Sequence, residues 1–178
     1  MRIDILTLLL SLSTIAVSTG CGSASGTSSN VPGPAKNVDA SQYTLFDEPD
    51  GAVGVIEARE SSEDGESLVL VGRIGGAANP WIDGRAAFTL LDASMSVVAE
   101  GEDSGKEGEL CMGDCCATER LECTTLVKVV DAQGRLVPID SRKLFGLKET
   151  DMVVVKGTAK KDKSGNFVML AKGVFIRK

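Results

Sequence analysis

Five short runs rich in Val, Leu, Ile, Thr and Phe recur along the chain, and each is cut off by a turn signal before it could become a long helix. The first is Leu68–Ile74, ended by Gly75-Gly76. The second, Arg85–Asp92, follows the Asp83-Gly84 turn, and Met95–Ala99 reads as its continuation after a break. Thr124–Val130 is the third, and Asp131–Arg135 turns it back into Leu136–Ile139. Met152–Gly157 and Phe167–Ile176 are the fourth and fifth, joined by a hairpin turn at Lys163-Ser164-Gly165-Asn166. Two short helices fit between these runs. Ala52–Glu60 places Val53 and Ile56 on one face, and Asp140 or Ser141 caps a turn of helix holding Leu144 and Leu147.

The order is therefore three strands, a short helix and two strands, with many glycines in or beside the strands. Small closed barrels use glycine where strands bend at their corners. A helix between the third and fourth strands is the arrangement of the OB fold, a five-stranded Greek-key barrel. The expected class is all-β with one or two short helices, and the expected architecture is a small five-stranded OB-like β-barrel. An SH3-like barrel or a small sandwich is the competing architecture.

The N-terminus is of another kind. Arg2 precedes an apolar run, Ile3–Val17, and the small residues Ser18-Thr19-Gly20 lead into Cys21. This order describes a secretory signal of the lipoprotein type over residues 1–20, with Cys21 as the lipid attachment site. Ordinary signal cleavage after Ala24 is the alternative. The apolar run is shorter than the roughly 20 residues that span a bilayer, so acyl chains rather than a helix would hold the protein. Gly22–Ala40 is rich in Gly, Ser and Pro and cannot bury enough surface to offset its ordering entropy. Residues 21–50 thus read as a flexible tether and 51–178 as the barrel domain. The expected location is the cell envelope, exported and membrane-anchored on the periplasmic side.

Charge and composition narrow the function classes. The chain has 19 Lys and Arg against 25 Asp and Glu, which disfavours nucleic acid as a partner. Residues 138–178 are locally basic and 100–123 strongly acidic, each reading first as a solvated face. There is no histidine, which excludes Ser-His-Asp and Cys-His catalysis and histidine-ligated zinc or haem. With one Trp, one Tyr and five Phe, the chain is poorly equipped to stack bases or sugars.

Four cysteines, Cys111, Cys115, Cys116 and Cys123, fall in or at the end of the acidic segment, which reads as a long polar loop. In an oxidising compartment an even, clustered set points to disulfides. Consecutive Cα atoms are too close for the usual bridge, so Cys115 and Cys116 are not expected to pair with each other. Two connectivities remain: 111–115 with 116–123, or 111–116 with 115–123. The sharper alternative is a zinc ion held by all four thiolates, with the acidic neighbours favouring a cation. A redox role is disfavoured, because no C-x-x-C is present and carboxylates raise thiol pKa values.

Other candidates are weaker. Gly72–Gly76 lacks the order of a dinucleotide loop and reads as a barrel bend. The carboxylates between Glu57 and Glu66 fall in a polar segment and read as solvated. Trp81, Asp83 and Arg85 form the best small constellation for a ligand. A lone Trp beside Pro80 reads first as a barrel plug, with Asp83 and Arg85 as a surface ion pair.

Several of these runs together carry a resemblance. GRIGG (72–76), NPWIDGRAAFTLLD (79–92), the Cys115-Cys116 pair, LVKVVDAQGRLV (126–137) and the stretch from Gly146 to Lys178 are similar to an exported and lipoprotein family common in planctomycete bacteria. The similarity covers about residues 50–178. The family in turn resembles bacterial exported OB-fold proteins more broadly. The resemblance implies a compartment and a fold, and no reaction. In the cysteine segment the chain departs from the family pattern, because Cys123 follows the adjacent pair where the family has a cysteine well before it.

These readings converge on a non-enzymatic, membrane-tethered, exported domain that binds an envelope protein or a small ligand and needs no cofactor. The alternative function is a metal-binding envelope protein holding zinc through Cys111, Cys115, Cys116 and Cys123.

Overall fold

The computed structural model describes residues 38–98, 108–111, 113 and 116–178. The expected signal, Cys21, most of the tether and Cys115 lie outside the described residues. A 3-10 turn at Ala40–Gln42 is followed by β1 (Ala52–Val53), α1 (Val55–Ser61), β2 (Ser67–Ile74) and β3 (Ala87–Asp92). Next come β4 (Ser96–Val98), β5 (Glu109–Cys111), α2 (Ala117–Cys123) and β6 (Thr124–Val129). The last elements are α3 (Ser141–Phe145), β7 (Met152–Lys161) and β8 (Phe167–Ile176).

Five of the strands close into a barrel. The main sheet runs β1-β2-β3-β6-β8-β7, and β7 pairs back onto β2 from Ser67↔Thr158 to Arg73↔Met152. All barrel pairings are antiparallel except β6–β8, which is parallel. Numbered within the barrel, the order is 1-2-3-5-4-1 with α3 between the third and fourth strands, which is OB topology. Strand alternation explains the core: Thr125, Val127 and Val129 of β6 point inward while Thr124, Leu126 and Lys128 are only half-buried. Phe88, Leu70, Ile74, Leu90 and Met169 are among the largest fully buried side chains. Each such residue contributes about 1.5–3 kcal/mol by leaving water.

Local chemistry sets the helix ends. Asp140 caps α3 by accepting from the Arg142 amide, and Gly146 ends it in the left-handed region. The cap of α1 is non-local. Gly54 offers no side chain, and Asp92 at the end of β3 accepts from the Ile56 amide at 3.0 Å and from the Ser94 amide at 2.9 Å.

Several boundaries differ from the sequence expectation. Ala52–Val53 is a strand parallel to β2, not helix, because β2 offers it a free edge. Ser96–Val98 leaves the barrel and pairs in parallel with Glu109–Cys111, so the acidic segment contains both a strand and α2. Residues 43–45, assigned to the tether, dock on the barrel: Thr44 bridges Val174 in parallel, and the Leu45 amide donates to the Val174 carbonyl at 2.9 Å. Among the described residues, no helix is long and apolar enough to cross a membrane.

Candidate functional site

A cleft of about 510 Å³ lies on the outer face of β3 and β6. Its floor follows from register. Thr89 of β3 sits opposite Leu126 of β6, and Leu126 sits opposite Val168 of β8, so three outward side chains form one row across three strands. The loop after β2 makes one wall through Gly76 and Ala77, and Asn166 from the β7–β8 turn makes another. Gly76 has φ +79°, and a Cβ there would lie 2.4 Å from Thr124 Cγ2. Only glycine lets that loop lie against the start of β6.

Two arginines reach the cleft from the helices outside the barrel. Arg59 of α1 donates from Nη1 to the Thr124 carbonyl at 3.2 Å, and Arg120 of α2 donates from Nη1 to the Gly113 carbonyl at 2.6 Å. Arg59 forms no ion pair among the described residues. A guanidinium carries five N–H donors, so a single carbonyl bond leaves most of Arg59's capacity for an acceptor. Leu121, 67 % exposed, supplies an apolar lip. Among the described residues, no Asp or Glu lines the cleft. The described lining thus offers guanidinium, hydroxyl and amide groups around an apolar floor, donors that suit an oxyanion attached to a carbon skeleton.

Sequence reasoning read Gly76 and Asn166 as turn residues and assigned none of these residues to a site. Arg59, Gly76, Thr89, Arg120 and Asn166 come from five separate segments, and no spacing links them. The one legible sign is Thr89, a hydroxyl in the middle of an otherwise apolar strand.

The singled-out constellation is structural in this fold. Trp81 is 6 % exposed and belongs to the core cluster, its ring centroid 6.5 Å from that of Phe88. Its indole N–H donates to Glu149 Oε1 at 3.4 Å, and the Arg142 guanidinium lies 5.5 Å from its centroid. The expected Asp83–Arg85 pair is not formed. Asp83 pairs with Arg142 at 2.8 Å, because α3 brings that guanidinium over the turn holding Asp83. Arg142 also grips Asp140, whose hydrogen bonds from Arg142 pull its carboxyl down to about 2.

Two of the cysteines stand at opposite ends of α2. Cys116 stands at its N-terminal cap and Cys123 is its last residue. Seven residues of helix separate their Cα atoms by about 10 Å. That span exceeds what a disulfide bridges, so the 116–123 connectivity is incompatible with the helix. Cys123 is a free thiol, 2 % exposed, packed with Leu91 and Leu110. Burial pushes its pKa up to about 11, and Glu119, Asp92 and Glu122 push the same way. The backbone of Cys111 lies in β5. Among the described residues, no group of three or more Cys, Asp or Glu converges on a point that could hold a metal ion.

The fold and the cleft define a small closed β-barrel of OB topology with two arginines at a recess on one face. Comparison with protein-family models and with curated proteins gave no match.

Proposed function

We propose that this chain is an exported, membrane-tethered binding module that captures an oxyanion-bearing ligand in the β3–β6 cleft and performs no chemistry on it. The observation that carries the reading is the convergence of Arg59 and Arg120 on one recess, beside hydroxyl and amide groups, in a protein of formal net charge −6. OB barrels recognise ligands on the face of their second and third strands and on the flanking loops, which here are β3, β6, the loop after β2 and the β7–β8 turn. That correspondence is fold-level support and names no ligand. Among the described residues the lining offers guanidinium, hydroxyl and amide groups and no general base, which favours binding over catalysis. The N-terminal apolar run with Cys21, and the resemblance to exported planctomycete proteins, support the envelope location.

Thermal unfolding of the full-length chain in mild detergent, with citrate and inorganic phosphate as probes, tests the reading. Binding to the native state alone raises the Tm. The wild type should gain Tm with either probe, and Arg59→Ala and Arg120→Ala should each lose most of that gain. Equal gains in wild type and both variants would reduce the effect to general salt stabilisation and sink the proposal.

A further inference from the structure

Phe46 is 83 % exposed, more than any other large apolar side chain among the described residues. Its position on the barrel is held from the preceding residues. The Leu45 amide donates to the Val174 carbonyl at 2.9 Å, and the Val174 amide donates to the Tyr43 carbonyl at 2.8 Å. Leu45 then lies directly over Gly173, where a Cβ would meet Leu45 Cδ2 at 2.7 Å. An aromatic ring is thus presented to solvent beside β8, at a cost in exposed apolar area that the fold does nothing to relieve.

Beside it is a groove of about 310 Å³, lined by Leu45, Leu68, Gly157, Gly173, Lys156 and Lys172 among others. It lies where the β7–β8 register shifts between Lys156 and Gly157. A cavity of about 150 Å³ accepts a benzene ring, so the groove has room for one phenyl group. Lys156 and Lys172 stand at its rim, and neither has an ion-pair partner among the described residues. The residue after the exposed ring is Asp47, also without an ion pair, whereas Glu48 is held by Arg177.

We infer that the groove receives Phe46 of a second copy of this chain, with that copy's Asp47 meeting Lys156 and Lys172. Charge selects this occupant. The ring is followed by Asp47, Glu48 and Asp50, which an anionic lipid surface would repel, whereas the groove presents ammonium groups that complement them. Contiguity selects the symmetry. Leu45 lines the groove and Phe46 is the knob, so one patch carries both parts, and a two-fold axis beside it lets each copy fill the other. The patch shares no residue with the β3–β6 cleft, and the inference stands independently of the ligand reading.

The test replaces Phe46 with the photo-crosslinking residue p-benzoylphenylalanine in the full-length chain within producing cells. Illumination should yield an adduct of twice the chain mass, cross-linked to peptides from β2, β7 or β8. Reversing both rim charges, Lys156→Glu with Lys172→Glu, should lower the adduct yield about tenfold. Adding Asp47→Lys to that double variant should restore it, which a folding defect could not do. Adducts only to lipid, only to a different protein or only within one chain would overturn the inference, as would a yield indifferent to the charge reversal.

Discussion

Asp92 shows how one side chain can stand in for a missing local signal. It is 5 % exposed at the end of β3, and it caps a helix whose first residue lies 37 positions earlier in the chain. Burial pushes its carboxyl pKa up, but hydrogen bonds from the Ser94 hydroxyl and from the Ile56, Ser94 and Val55 amides together outweigh that and leave it lowered. A carboxyl depressed in the folded state adds stability above its unfolded pKa near 4, and that stability is lost as pH falls through the folded value. Asp92→Ala should therefore cost about 1–3 kcal/mol near neutral pH by urea unfolding, and the gap to wild type should narrow as pH falls below about 4. A gap constant with pH would refute the capping account. Thr150 presents the opposite case, a β-branched residue at φ +70° among the described non-glycine residues. The left-handed region is costly for such a side chain and tolerated by asparagine. Thr150→Asn should raise stability by about 0.5–1 kcal/mol, read as a shift in the urea midpoint at unchanged slope.

At the scale of elements, α2 decides the chemistry of the acidic segment. It places Cys123 under β3 and β5, against Leu91 and Leu110, and leaves Leu121 facing solvent at the cleft. A thiol with a pKa raised to about 11 and almost no exposure is a poor nucleophile, since only the thiolate reacts. Iodoacetamide near pH 8 should therefore label Cys123 only when the protein opens, with a rate that rises steeply on adding urea, as followed by peptide mass spectrometry. Rapid labelling of the native protein would mean that α2 does not bury this residue. The polar composition of the segment concealed the helix: Ala117–Cys123 carries two glutamates and an arginine on exposed or half-exposed positions, and only Cys123 is buried.

For the whole molecule, the first described residues meet the barrel at β8. Residues 43–45 occupy the edge of β8 that β6 leaves unpaired after Ala171, which joins the start of the described chain to the last strand. If the N-terminus is a lipoprotein signal, the membrane end of the tether is Cys21 and its barrel end is this pairing. Radiolabelled palmitate should then enter the protein in producing cells, and Cys21→Ala should abolish the label. Labelling that survives this substitution would place the lipid elsewhere.

The strand runs, their turns and the short helix before β7 were legible in the sequence because each is written locally. Apolar, β-branched runs marked β6 and β8, Asp140 offered a cap for α3, and Lys163-Ser164-Gly165-Asn166 marked the hairpin. That order alone pointed to a five-stranded barrel. What it left open is every contact that depends on register between distant segments. The parallel β6–β8 pairing, the closure of β7 onto β2, the grip of Arg142 on Asp83 and the meeting of Arg59 with Thr124 join residues with no pattern in common. The cysteines show the reverse limit, because their spacing invited pairing until a helix of seven residues held two of them apart. Local hydrogen bonding and side-chain periodicity chose the elements; only the closed sheet, which sets strands side by side in one register, decided which side chains share a cleft.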